Sequence, residues 1–332
     1  MSWAAIQGQP LAVRILSMHA RQGRIPSAYL LAGPEGVGKQ RAALEMAKAL
    51  NCEKPSEDGS CDACRTCRQI QRMVYPDVHR VTPSASGAIR IDELRQAFER
   101  IGLRPFAGRF QVGILDGADR LTEEAANSLL KTLEEPPTWS RFVLTTTEPS
   151  QCLPTIVSRC QVIRFQRLTA SIIDAWLREQ RQVDPETARV VSRLAQGSFA
   201  RASELVEGWA DHQARLAQLS ARDAQPWLAW ESPSDRQELA EWVGAAVSWL
   251  RDVALSAVSH DLPIQHADAA GAIHTQARGL DPERCASTAM RLVALRESLE
   301  QMANPRAVSA LFREEWLKLL NSALVSSSAR EQ

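Results

Sequence analysis

The chain has 332 residues, too many for one ordinary hydrophobic core, so two or three domains are expected. Its 39 basic residues balance 39 acidic ones, and zero formal charge argues against a protein that mainly grips nucleic acid through a broad basic face. No run approaches the ~20 apolar residues of a membrane span, and the N-terminus lacks a charged-then-apolar leader, so a soluble cytoplasmic protein is expected.

The first strong signal is an apolar run, Tyr29–Ala32, that reads as a strand. It runs into Gly33-Pro34-Glu35-Gly36-Val37-Gly38-Lys39-Gln40 and then a helical pattern from Arg41 to Leu50. Strand, glycine-rich loop and helix in that order form the setting of a phosphate-binding loop. Gly33, Gly36 and Gly38 allow backbone N–H groups to converge on phosphate oxygens at a helix N-terminus, and Lys39 adds a positive charge. The position after the lysine ordinarily carries a Ser or Thr hydroxyl that holds Mg²⁺; here it is Gln40. ATP or ADP binding is therefore expected of the loop, with its magnesium site in question.

Four of the seven cysteines follow closely: Cys52, Cys61, Cys64 and Cys67. Two C-x2-C steps suit tetrahedral thiolate ligation of Zn²⁺, and four sulfurs leave no open position, so a structural zinc in an inserted module, residues 52–67, is expected. Cys152, Cys160 and Cys285 are isolated and read as small buried residues.

Further strands are predicted at Val78–Thr82, Gln111–Leu115, Phe142–Thr146 and Val162–Phe165, with helical patterns between them at Ile91–Ile101 and Thr122–Glu134. The alternation predicts an α/β fold with a parallel sheet joined by right-handed crossovers, its phosphate loop at the carboxyl edge. Asp116 ends the third strand, where nucleotide-hydrolysing enzymes place an acid that helps hold Mg²⁺. The next residue, ordinarily a Glu that polarises water, is Gly117. With Gln40 and Gly117 both changed, rapid hydrolysis is not expected. Thr122 reads as an N-cap and Pro136-Pro137 as a stop for the helix between them. The hydroxyls of Thr145-Thr146-Thr147 are expected beside the γ-phosphate position, and Arg159 follows an apolar helical turn.

Beyond Phe165 strand signals cease. Short helices broken at Val183-Asp184-Pro185 and Gln196-Gly197-Ser198 are expected, then a helical remainder holding six of the nine tryptophans. One stripe runs Leu239, Trp242, Val243, Ala246, Trp249, Leu250 and Val253; another runs Val308, Leu311, Phe312, Trp316 and Leu319.

Taken together, the glycine loop, the cysteine module, Leu129-Leu130-Lys131-Thr132-Leu133-Glu134-Glu135-Pro136-Pro137, the threonine strand and Ser158-Arg159-Cys160 resemble the bacterial clamp-loader branch of the AAA+ ATPases. The resemblance covers about the first 167 residues. It implies an AAA+ module over 1–167, a small helical lid over 168–207 and an all-α collar for oligomerisation over 208–332. Within the branch, Gln40 and Gly117 resemble the degenerate delta-prime type rather than the gamma/tau motor type. The resemblance further implies that Arg159 acts in trans on ATP held by a motor subunit, within a hetero-pentamer with gamma/tau and delta that loads a sliding clamp onto primed DNA in the bacterial replisome. Arg201 falls one residue late against the motor pattern, a turn of ~100° on a helix, and inherits no role. Two alternatives stay open: a motor ATPase of the same complex, and an independent zinc-dependent DNA-binding protein.

Overall fold

The computed structural model describes residues 3–84, 86–221, 225–259 and 261–328. Contacts divide the chain into two compact units, one running to Ile173 and including Gln196–Arg201, the other made of Asp174–Ala195 and the chain from Ala202 onward.

In the first unit, α1 (Pro10–Gln22) leads into β1 (Ala28–Ala32), the glycine loop and α2 (Lys39–Asn51). Then come α3 (Arg65–Gln71), β2 (Val78–Val81), α4 (Ile91–Gly102), β3 (Gln111–Leu115), α5 (Glu123–Glu134), β4 (Ser140–Thr146), α6 (Pro154–Arg159) and β5 (Gln161–Arg164). The five strands form one parallel sheet in the order β2-β3-β4-β1-β5. Its central strands are mostly apolar because both faces are covered. Tyr29 and Leu31 pack with Ala42, Ala43 and Met46 of α2 on one face, while Ala28 and Leu30 pack with Leu94, Leu129 and Ile156 on the other. Thr122 caps α5 as its side chain predicts, accepting from the Ala125 N–H at 3.4 Å.

This layering sets the site. Ala32 lies in register with Thr146, and the Gly33 N–H donates to the Thr146 carbonyl at 3.1 Å. The carboxyl ends of β1, β4 and β3 thereby bring Gly33, Thr146 and Asp116 to one edge of the sheet.

The remainder is helical: α7 (Ala170–Arg181), α8 (Pro185–Leu194), α9 (Phe199–Glu207), α10 (Trp209–Leu219), α11 (Gln225–Leu228), α12 (Arg236–Val258), α13 (Ala270–Ala277), α14 (Pro282–Glu300) and α15 (Pro305–Ser328). Both expected breaks occur. Asp184 caps α8 by accepting from the N–H groups of Glu186 and Thr187, and Gly197 takes a left-handed φ of +85°. In the second unit the whole α12 stripe is buried. Trp227 sits at the centre of an aromatic cluster, with ring centroids 5.4–6.1 Å from Trp230, Trp242, Phe312 and Trp316.

The α15 stripe needs one correction, because Leu311 is 48 % exposed while Val308, Phe312, Trp316 and Leu319 are buried. At ~100° per residue Leu311 falls about 60° to one side of Val308, whereas the other three fall to the opposite side. None of the helices among the described residues is long and apolar enough to cross a membrane.

Candidate functional site

The glycine loop, the end of β3, the threonines of β4 and the start of α9 at Phe199-Ala200 enclose a cavity of about 410 Å³. Gly36, Gly38, Lys39, Gln40, Asp116 and Thr146 all line it. Two loop glycines are required by close approach. At Gly33, where φ is +155°, a Cβ would lie 2.3 Å from the Phe165 carbonyl oxygen; at Gly36, where φ is +71°, it would meet the Ser198 hydroxyl at 2.1 Å. Lys39 is folded back, its Nζ donating to the carbonyls of Gly33 and Pro34, the latter at 2.6 Å. Burial lowers its pKa, against the opposing pull of Glu35, Asp119 and Asp116.

The positions expected from the sequence to hold metal and orient water are filled in an unusual way. Gln40 is exposed at its mouth. Gly117 has a φ of +83°, a conformation that favours glycine, and its N–H donates to the Thr145 hydroxyl at 3.1 Å. Asp116 is buried, and its Oδ2 accepts from Nε of Arg80 at 2.6 Å, with Nη2 of that guanidinium also 2.6 Å away. Burial pushes the Asp116 carboxyl up, and the Arg80 guanidinium pulls against that shift. Asp119 lies in a short turn, Ala118–Arg120, lines the cavity and accepts from the Thr147 hydroxyl at 2.8 Å. Arg201 does not line the cavity, although its neighbours Phe199 and Ala200 do.

The cysteine module packs behind α2. The sulfurs of Cys52, Cys61, Cys64 and Cys67 all lie within 4.8 Å of one another, and none is in a disulfide. A tetrahedron with metal–sulfur bonds of ~2.3 Å has edges of about 3.8 Å, so the donor set fits a Zn²⁺-sized ion. Backbone N–H groups of Cys61, Cys64 and Cys67 donate to the sulfurs of Cys52, Cys61 and Cys64, each at 3.3 Å, which suits thiolates. The Cys64 N–H brings the Cys61 thiol down to about 6, while burial drives Cys52 and Cys67 up. Lys48 of α2 anchors the module, its buried ammonium 2.6 Å from Asp62 and 2.8 Å from Glu45.

Arg159 is not part of the cavity. It ends α6 exposed, with its guanidinium 2.7 Å from Glu134 at the end of α5 and 3.1 Å from the Thr155 carbonyl.

Sequence reasoning missed three anchoring residues. Arg80 is one; a charged residue between the valines of a short strand was the available signal. Asp77 is fully buried and accepts from the N–H groups of Phe106, Ala107 and Gly108 at 2.6–2.7 Å, fixing the loop before β3. Gln9 clamps the chain after β5, donating to the Gln166 carbonyl at 2.7 Å and accepting from its N–H at 3.0 Å.

A parallel sheet with a phosphate loop after β1 defines a module of the P-loop NTPase type, followed here by a helical remainder. A family model described as "DNA polymerase III, delta subunit" matches residues 8–169. The delta' subunit of DNA polymerase III from Bacillus subtilis is 35% identical over 224 residues, 66% of each chain. The tau subunit from the same organism is 35% identical over 210 residues, 61% of this chain and 36% of that protein. Escherichia coli tau is 32% identical over 211 residues, 62% of this chain and 32% of its own length. The chain belongs to the clamp-loader subunit family of DNA polymerase III, which includes the delta', tau and gamma types. It spans about a third of the tau relatives and 66% of the delta' relative. Among solved structures, a gamma subunit-related protein from Thermotoga maritima aligns over 91% of this chain and 99% of its own, with 16% identity and a TM-score of 0.46.

Proposed function

We propose that this chain is a delta-prime-type subunit of a bacterial clamp loader, needed for ATP hydrolysis by its neighbours while hydrolysing little itself. The observation that carries this reading is the separation of two functions. The chain's own cavity has Gln40 and Gly117 at positions that hold metal and orient water, whereas Arg159 is exposed outside that cavity. An arginine supplied to another subunit's γ-phosphate needs such exposure. Its permanent charge and planar fork suit two phosphate oxygens, and a finger of this kind contributes ~10³–10⁵ in rate.

In this reading residues 1–167 form the AAA+ module, 168–207 the lid and 208–332 the collar that joins a pentamer with gamma/tau and delta subunits. DNA and the sliding clamp are met through the assembly in the cytoplasm, in keeping with zero net charge. Zn²⁺ held by Cys52, Cys61, Cys64 and Cys67 is structural, since four thiolates leave no position for chemistry.

The motor reading draws on the equal 35% identity to tau. Phosphate release by the purified chain separates the two. Turnover on the order of 1 s⁻¹, abolished by Lys39→Ala, sinks the delta-prime reading. The expected result is negligible release by the chain alone, with Arg159→Ala cutting DNA-dependent hydrolysis by the reconstituted complex.

A further inference from the structure

The strand-end acid of a phosphate-loop cavity ordinarily serves a divalent cation, and here that acid already has a cation. Asp116 is 4 % exposed, and its Oδ2 accepts from Nε of one guanidinium, Arg80, at 2.6 Å, with Nη2 of the same group also 2.6 Å away in an ion pair. Arg80 reaches it from β2, the neighbour of β3 at the sheet edge. Guanidinium cannot be deprotonated in a protein, and charge-assisted bonds of this length are strong. Magnesium demands near-octahedral oxygen ligands at ~2.1 Å, and the oxygen turned to Arg80 is no longer one of them. The hydroxyl that would supply another ligand is replaced by Gln40. Lys39 and Arg120 line the same cavity and remain to meet phosphate charge. Asp116 is left one oxygen, Oδ1, buried without a hydrogen-bond partner, and with no hydroxyl at position 40 the cavity is a poor magnesium site.

We propose that Arg80 takes the place of the divalent cation at Asp116, so that the cavity binds a nucleoside triphosphate without a magnesium requirement. This rests on reading the glycine loop as a phosphate site and does not depend on the role of Arg159. Magnesium-free binding also accounts for a loop that keeps Gly33, Gly36, Gly38 and Lys39 while its metal positions have changed: phosphate binding and metal use draw on different residues.

The test is calorimetric titration of the full chain with ATP, once in EDTA and once in excess Mg²⁺. Wild type is expected to bind with dissociation constants agreeing within about threefold in the two media. Lys39→Ala is expected to weaken both, marking the phosphate loop as the site. Arg80→Ala frees Asp116, and Mg²⁺ is then expected to tighten binding about tenfold or more relative to EDTA. Arg80 lies on an edge strand with its side chain 36% exposed, so the variant should fold; Arg80→Gln, with circular dichroism melts of both, guards against a folding artefact. Wild-type binding that needs Mg²⁺, or Arg80 variants that stay indifferent to it, overturns the proposal. Absence of ATP binding in both media overturns it too, and leaves the trans-acting arginine to be decided separately by hydrolysis in the reconstituted complex.

Discussion

The Arg159 guanidinium donates to Glu134 at 2.7 Å, tying the last residue of α6 to the last residue of α5. Both side chains are a third or more exposed, at 35% and 50%, and such pairs contribute at most about 1 kcal/mol. Arg159→Ala should therefore leave the urea midpoint of the isolated chain nearly unchanged. The same variant should lower DNA-dependent ATPase of the reconstituted complex by ~10³ or more. A large stability loss with normal complex activity would show that the arginine is only a structural tie. Glu134→Gln should also leave stability nearly unchanged and should not reduce complex activity.

Metal analysis of the purified chain should find one zinc per molecule, bound by the four-cysteine cluster. Cys64→Ser should release it and lower stability of the first unit by ~3 kcal/mol, about 10 °C in melting temperature for a unit of this size. An unchanged melting curve after exhaustive chelation would refute a structural metal.

Restoring the expected acid after Asp116 should not restore hydrolysis. Gly117 has a φ of +83°, and a Cβ there would lie 3.2 Å from Cδ of Arg120. Gly117→Glu should cost about 1–2 kcal/mol from the left-handed conformation alone. Combined with Gln40→Thr, it should still give no measurable phosphate release from the isolated chain. Appreciable turnover would mean that residue identity, not backbone geometry, had silenced the site.

The second unit carries an acid-sensitive joint at Asp252. Its Oδ2 accepts from the N–H groups of Gln265 and His266 at 2.8 Å and from the His266 ring at 2.9 Å, while Oδ1 lies 2.7 Å from Arg251. Burial alone would raise the carboxyl, but bonds from His266 and Gln265 outweigh it and hold it below its ordinary value. A depressed carboxylate contributes stability that is present above its unfolded pKa of about 3.9 and is lost as pH falls through the folded value. Urea midpoints should accordingly drop below about pH 4, and Asp252→Asn should remove this component while costing ~3 kcal/mol at neutral pH. An identical acid profile in the variant would rule out Asp252 as the source.

Much of this was legible in the sequence because the relevant signals are local. The five strands fall within two residues of their predicted limits, since a sheet covered on both faces writes itself as short apolar runs between turn residues. Cys52 to Cys67 were legible because metal-ligand spacing is a chain-local property. The ties that define the site are not local. Arg80 and Asp116 are 36 residues apart and meet only because β2 and β3 pair in parallel register. Likewise Glu134 reaches Arg159 through the packing of α5 against α6, and no spacing rule joins positions 25 apart. Gly117 read as a missing acid; its left-handed backbone adds a reason that sequence could not supply.

One helix joins the two chemical centres of the first unit. Helix α2 begins at Lys39 of the glycine loop and ends at Asn51, immediately before the first cysteine of the cluster, Cys52, with Lys48 pinned to Asp62 inside the module. At 1.5 Å per residue it is a strut about 20 Å long. The loop is thus braced from its far end as well as by Thr146 and Phe165 beside it. Oxidation or alkylation of the cysteines would slacken that brace and be felt as weaker phosphate binding, with every residue of the cavity intact.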